Sequence, residues 1–350
     1  MRKTYRLNLT LWSVLTISVL ISGCGGRSIS FLVTRPAEIN LSEYDKIAIG
    51  EIKGSGSGFV SKLGDLGKFL QGVGSKDTWI LRFSAEMAQA LAASGRFELL
   101  DYESLKIAQG RNTDIGNVVL ISGGILAYDY DEEEIAENAE PTNKKTNKKT
   151  ARREYKRKGT ARVEVQLRIV ALQTSRILAS RNFSRRETIR TSGKTPAKAS
   201  IDNADRRRLF AECRADIVRA LKRMLVPYTE RVYVSFETDK KMPELERGVR
   251  MVQAGNRDAA VDVFQTATQT YFNSPDVHKA YYNLGLSYMY SDRFDPARTA
   301  LKEAYARKSG GKYRNAILEL NRRIEEKRRL EEQTRSDQGT GENAETVKEH

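Results

Sequence analysis

The chain predicts an α/β (α+β) domain built on a mixed sheet, followed by an all-α domain of helical hairpins. Three observations predict this. Ala161, Val163, Val165, Leu167 and Ile169 alternate with Arg162, Glu164, Gln166 and Arg168, the period of a half-buried strand. Two longer stretches place Ile80, Phe83, Met87 and Leu91, and then Phe210, Cys213, Ile217, Leu221 and Met224, on single helical faces. From Pro243 onward the apolar spacing is helical.

In chain order, Ile47–Ile52 is the first apolar strand, followed by a Gly/Ser-rich stretch from Gly54 to Gly74. A helix from about Asp77 to Ser94 ends at Gly95, a residue suited to helix C-termini. Phe97–Leu100 and Asn117–Tyr128 read as further strands. Residues 129–158 turn from acidic (Asp129, Asp131, Glu132, Glu133, Glu134) to basic (Lys144, Lys145, Lys148, Lys149, Arg152, Arg153, Lys156, Arg157, Lys158) with almost no apolar content. That composition predicts a solvated loop. Strand 160–172 then turns at Gln173-Thr174-Ser175 into Ile177–Phe183, a hairpin. A polar stretch leads to a helix from about Asn203 to Leu225, stopped by Pro227. Val232–Phe236 adds a short strand, and Thr334 to His350 reads as a disordered tail. The α/β domain is thus placed at 42–227, a connector at 228–242 and the helical domain at 243–333.

Composition narrows the chemistry. The 350 residues carry a net charge of +15 but only two histidines and two cysteines, Cys24 and Cys213. A disulfide framework or a cysteine-based zinc site is not expected, and one histidine is the last residue, so His-based acid/base chemistry has little to draw on. Cys213 lies on an apolar helical stripe and reads as a small buried hydrophobe. No paired carboxylates, Ser/His/Asp set or metal-ligand cluster stands out, so no enzyme activity and no cofactor is predicted.

The first 23 residues follow a signal-peptide plan: Arg2, Lys3 and Arg6, then an apolar run from Leu7 to Ile21 too short for a comfortable membrane span. The ending Ile21-Ser22-Gly23-Cys24 resembles a bacterial lipobox. That resemblance implies cleavage after Gly23, a thioether-linked diacylglycerol on Cys24 and acylation of its new amine, with residues 24–41 as a lipidated tether. Gly25, where Asp would retain a lipoprotein at the inner membrane, resembles the outer-membrane sorting pattern.

The order strand, loop, helix, strand, strand, hairpin, helix over roughly residues 40–226 resembles the α/β domain of the CsgG curli-secretion lipoproteins, the LpoB activators of penicillin-binding proteins and the N-terminal domain of TolB. Within the hairpin, Thr174, Ile177 and Leu178 fit that family's turn, while Ser175 stands where Gly is usual. The resemblance implies a domain that works by binding. Further on, Tyr281-x-x-Leu284-Gly285-x-x-Tyr288 with Ala297 and Leu301 resembles the tetratricopeptide (TPR) plan, and Gly248, Ala260, Phe264 and Ala267 repeat the spacing. A last helix with Tyr313, Ile317, Leu320 and Ile324 would cap the stack. This resemblance implies protein binding in a concave face. Tyr282 and Tyr290 are the candidate groove residues, Tyr281 and Tyr288 are expected to pack between helices, and Leu286 after Gly285 argues against a carboxylate clamp.

Other motifs carry less. Gly54-x-Gly56-x-Gly58 lacks the third glycine spacing of a dinucleotide loop, and Phe69 after Lys68 lacks the phosphate-loop Ser/Thr. The basic run 144–158 lacks interleaved aromatics beyond Tyr155, so no nucleic-acid partner is expected; anionic envelope polymers or lipid headgroups suit it better. Expected partners are therefore the membrane through the lipid and envelope proteins through the helical domain, with a homo-oligomer left open. The function expected is a non-enzymatic envelope adaptor. The alternatives are a CsgG-like secretion channel component, which charged 129–158 and 182–205 disfavour, or an LpoB-like activator of a wall synthase.

Overall fold

The computed structural model describes residues 26–54, 76–111, 113–139 and 152–345. The chain divides into two compact units, one formed by residues up to Leu32 with Arg231–Ile324, the other by Val33–Glu230 with residues from Glu325 onward.

The larger unit is built on a five-stranded mixed sheet. Its strands are β2 (Lys46–Gly54), β3 (Glu98–Leu100), β4 (Val118–Ala139), β5 (Arg152–Ala171) and β6 (Arg176–Gly193), in the order β3-β2-β4-β5-β6. β2 pairs parallel with β3 and β4, whereas β4, β5 and β6 pair antiparallel. One face is covered by helices α1 (Lys76–Ala92) and α3 (Asn203–Leu225), which bring Phe83, Met87, Leu91, Cys213 and Ile217 onto Ile47, Ile121, Val163, Val165 and Ile169. The alternation of β5 is realised in full, with every second residue from Ala161 to Ile169 buried in this core. On the other face α2 (Tyr102–Gly110) seats Leu105 against Ala48 and Val118. Ser175 in the β5–β6 turn takes φ +54°, the left-handed region that glycine enters without strain.

Residues 129–139 and 152–158 are strand, not a solvated loop. The acidic run lies on β4 and the basic run on β5, in register: Glu133 faces Lys158 and Glu134 faces Arg157. Glu133 takes the Lys158 ammonium at 3.1 Å, and Glu132 takes Arg157 at 2.9 Å and Arg206 of α3 at 2.8 Å. Opposite charges directly across a strand pair stabilise it much as apolar pairs do, a signal that hydropathy misses. The polar stretch after Phe183 is likewise the second half of β6, paired with β5 out to Gly193. Residues 140–151, with Lys144, Lys145, Lys148 and Lys149, lie outside the described residues, as do the Gly56–Lys68 motifs.

Two strands lie within the stretches placed as tether and connector. β1 (Arg27–Arg35) starts three residues after Cys24 and pairs with β7 (Tyr228–Phe236). Along it Ile29, Phe31 and Val33 are buried in alternation. The smaller unit continues with α4 (Pro243–Gln253), α5 (Arg257–Thr270), α6 (His278–Met289), α7 (Phe294–Arg307) and the first part of α8 (Gly311–Glu345). Its two helix pairs meet at glycines. A Cβ on Gly248 would lie 2.4 Å from the Phe264 ring, and one on Gly285 would lie 2.6 Å from Leu301 Cγ, so only glycine permits these crossings. α8 continues to Glu345 where a disordered tail was expected from Thr334. Its latter half belongs to the sheet unit, where the Gln333 amide accepts from Ala37 N (2.9 Å) and donates to Ala37 O (3.0 Å), and Arg329 donates to Ala37 O (2.7 Å). Among the described residues no helix is long and apolar enough to cross a membrane.

Candidate functional site

The smaller unit carries a shallow depression of about 560 Å³ between β7, α6 and the start of α8. Its floor is α6, with Tyr282, Leu286 and Tyr290; one wall is the start of α8, with Lys312, Asn315 and Arg322; the other is Val232–Ser235 of β7. Four consecutive strand residues line it because a strand edge does. β7 has β1 on one side and, among the described residues, no strand on the other. A strand with an open side is the arrangement that accepts an added strand. Tyr233 projects beside this edge with 73% of its surface exposed.

A buried amide fixes the wall to the floor. The Asn283 side chain, fully buried on α6, accepts from Glu237 N at 2.8 Å and donates to Glu237 O at 2.8 Å. Lys279, one turn earlier, reaches Asp239 at 2.7 Å and Asp276 at 3.1 Å. Burial opposes its charge, yet the hydrogen bonds it donates to these two carboxylates hold Lys279 above the usual lysine range. Lys312 closes on Glu237 at 2.6 Å from α8. β7 thus ends on a polar clamp that makes strand edge and helix floor one piece. Nothing in the sequence marks Asn283, since its partner is main chain 46 residues away.

The two tyrosines singled out from the sequence both border the depression, but mainly as packing groups. Tyr282 is 6% exposed, set edge-on to Tyr313 at 5.2 Å, and Tyr290 is 9% exposed, stacked on Phe31 at 4.3 Å. Tyr288 lies over Arg293 and reaches Gln265, while Tyr281 carries the Arg307 guanidinium on its face. Cys24 lies outside the described residues. Cys213 is buried with its thiol toward Ala161 O, and burial pushes it up to about 11, which keeps it an unreactive thiol at neutral pH. Among the described residues no cluster of three or more His, Cys, Asp or Glu side chains could hold a metal ion.

One titratable group has a clear consequence for this unit. His278 opens α6 with its ring buried, Nδ1 against Pro275 O at 2.9 Å, and Nε2 without a partner. Burial holds His278 below the usual histidine range. The unfolded chain therefore binds a proton that the folded chain refuses. Stability is full above about pH 6.5, the unfolded value, and declines as pH falls from there toward the lower folded value. The expected slope approaches 1.4 kcal/mol per pH unit within that window. Denaturant unfolding from pH 8 to pH 5 should show it, and His278→Gln should flatten it; an equal slope in both proteins contradicts the assignment.

No family model matches the chain, and no curated protein matches it. Among solved structures it is similar to the PelC dodecamer from Paraburkholderia phytofirmans, at 13% identity and TM-score 0.27 over 57% of this chain and 99% of that one. A variant of the same PelC matches at 12% identity and TM-score 0.27, over 57% and 98%. A protein described as a neuraminyllactose-binding hemagglutinin homolog from Helicobacter pylori matches at 12% identity and TM-score 0.29, over 61% and 94%. Likeness at this level carries no statement about what this chain does.

Proposed function

We propose that this protein is a lipid-anchored envelope adaptor, held by Cys24 at the outer membrane, that grips a partner protein through the β7 edge and works by binding rather than catalysis. The observation that carries it is the unpaired edge of Val232–Ser235 beside the floor of α6. An extended segment satisfies such an edge with main-chain hydrogen bonds, and the depression beside it takes alternate side chains. The TPR resemblance of 243–333 supports the same use, as does the CsgG, LpoB and TolB resemblance of the sheet unit, since those families act on other proteins. A wall-synthase activator is a special case, and no cofactor is needed. Tethering raises the local concentration of both partners, so a modest interface suffices.

In-cell photo-crosslinking from position 233 tests the reading. The expected result is a discrete adduct with one envelope protein, absent when the crosslinker sits at Tyr305 on α7. Asn315→Trp, at an exposed site on the α8 wall, should abolish the adduct while changing stability by less than about 0.5 kcal/mol. Absence of an adduct at 233 sinks the reading. A homodimeric adduct assigns the edge to a second copy instead.

Strand length speaks for the channel reading. β4, β5 and β6 run for 22, 20 and 18 residues, beyond the 9–11 or so that a membrane strand needs. Neighbouring positions such as Asp131 and Glu132 on β4 or Arg185 and Arg186 on β6 put charge on both faces of the outer stretches. A bilayer-spanning strand needs an apolar row on one face, so the adaptor reading is preferred. Single-channel conductance of purified protein would reverse that preference.

A further inference from the structure

The sheet unit holds a second site, unrelated to the β7 edge. The first turns of α1 and α3 end at one cavity of about 160 Å³ over the middle of β4. Its floor is aromatic: Tyr128 of β4 lies flat on Phe210 of α3, with centroids 4.1 Å apart and planes at 15°, and Trp79 of α1 meets Tyr128 edge-on at 5.9 Å. The indole N–H is already spent on Phe210 O at 3.1 Å, so Trp79 offers apolar surface. A cavity of about 150 Å³ is enough to take a benzene ring.

The rim has one sign of charge. Arg82, Arg206, Arg207 and Arg214 line the cavity, and among the described residues no carboxylate does. Arg214 pairs with Glu86 at 2.9 Å and Arg206 with Glu132 at 2.8 Å, both carboxylates lying outside the cavity. Arg206 still has a buried Nε without a hydrogen-bond partner, and its guanidinium lies 4.7 Å over the Tyr130 ring. Arg82 has no acidic partner among the described residues. Helix α3 also starts here, at Asn203 with Asp202 as its N-cap, so the positive end of its macrodipole adds to the field. Packing alone explains the ring stack. It does not account for the buried Arg206 Nε left without a hydrogen-bond partner beside Arg82 at the mouth, since a buried donor left unpaired is costly.

We propose that this cavity binds a small amphiphilic anion: a single carboxylate, sulfonate or phosphate head on an apolar body about one ring in size. The ring lies on Tyr128, Phe210 and Trp79, and the head sits between Arg82 and Arg206. Guanidinium forks match such heads with paired hydrogen bonds.

The test is calorimetric titration of the full chain with three probes sharing one body: 4-methylbenzenesulfonate, 4-methylbenzyl alcohol and 4-methylbenzylammonium. The sulfonate is expected to bind one per chain, with the alcohol weaker and the ammonium not bound. Arg82→Gln combined with Arg206→Gln should weaken the sulfonate at least tenfold, since a hydrogen bond to a charged group is worth more than about 1.4 kcal/mol. Arg82→Gln alone, at an exposed side chain, should lower affinity without changing the melting temperature and so separates binding from folding. Equal binding of all three probes, no binding of the sulfonate, or a sulfonate affinity untouched by Arg82→Gln would overturn the proposal.

Discussion

A chain carrying Cys24→Ala is expected to leave the membrane fraction almost completely. On the proposed anchoring, that residue carries two or three acyl chains, and each buried CH₂ contributes about 0.8 kcal/mol. One short chain holds a protein only marginally, at about 10⁴ M⁻¹, whereas two or more hold it stably. Without lipid, the remaining attraction is electrostatic. Basic residues add about 1 kcal/mol each close to an anionic surface, but that falls away within a Debye length of about 8 Å at physiological salt. The acidic run on β4 also neutralises part of the basic run on β5. The variant should carry Ile21→Ala and Gly23→Ala as well, so that an ordinary leader cleavage replaces lipobox processing. Fractionation at 0.15 M salt should then find the wild type with membranes and the variant in the soluble envelope fraction. A variant that stays with membranes in high salt contradicts lipid anchoring.

Arg35→Ala is expected to destabilise the sheet unit by about 3–5 kcal/mol. Arg35 ends β1 with its side chain buried, 5% of the residue exposed, between two carboxylates. Its Nε donates to Glu230 at 2.8 Å and its Nη1 donates to Glu326 of α8. Truncation removes the cation and leaves Glu230 and Glu326 as partly buried like charges, which costs more than the pair was worth. Beyond Glu326, Arg329 and Gln333 tie α8 to the main chain at Ala37 and Glu38, so loss of Arg35 should also loosen residues 326–334. Denaturant unfolding measures the first effect, and faster amide exchange over 326–334 measures the second. Arg35→Met with Glu230→Leu and Glu326→Leu should recover most of the stability, because apolar replacement of a whole buried ion cluster is close to neutral. If the single variant loses less than about 1 kcal/mol, the cluster is not structural.

Much of this was legible beforehand where burial leaves a periodic trace. The alternation of β5, the stripes of α1 and α3, and the close-approach glycines at 248 and 285 each follow from one local pattern with one physical cause. The failures share a different cause. The outer halves of β4 and β5 pair opposite charges across their ladder, and the outer half of β6 is polar too, so neither face reads as apolar. β1 alternates Ile29, Phe31 and Val33, but follows so closely on the leader that it passed for tether. The Arg35 cluster and the Asn283 clamp join positions separated by up to 291 and 46 residues, and no window of sequence contains both partners. The arginines near 206 are visible as a run; that they meet Trp79 and Arg82 over Tyr128 requires the fold. Tyr282 and Tyr290 were picked for their place on a helix, whereas the open main-chain edge beside them has no residue signature at all.

Hydrogen exchange across β7, in the full chain with and without the partner captured at position 233, tests the central claim most directly. Added strand hydrogen bonds should slow exchange at the outward-facing amides within Val232–Ser235 and leave Glu98–Leu100, the edge strand of the five-stranded sheet, unchanged. A partner that binds while β7 exchanges at its free rate, or that protects Glu98–Leu100 instead, contradicts it.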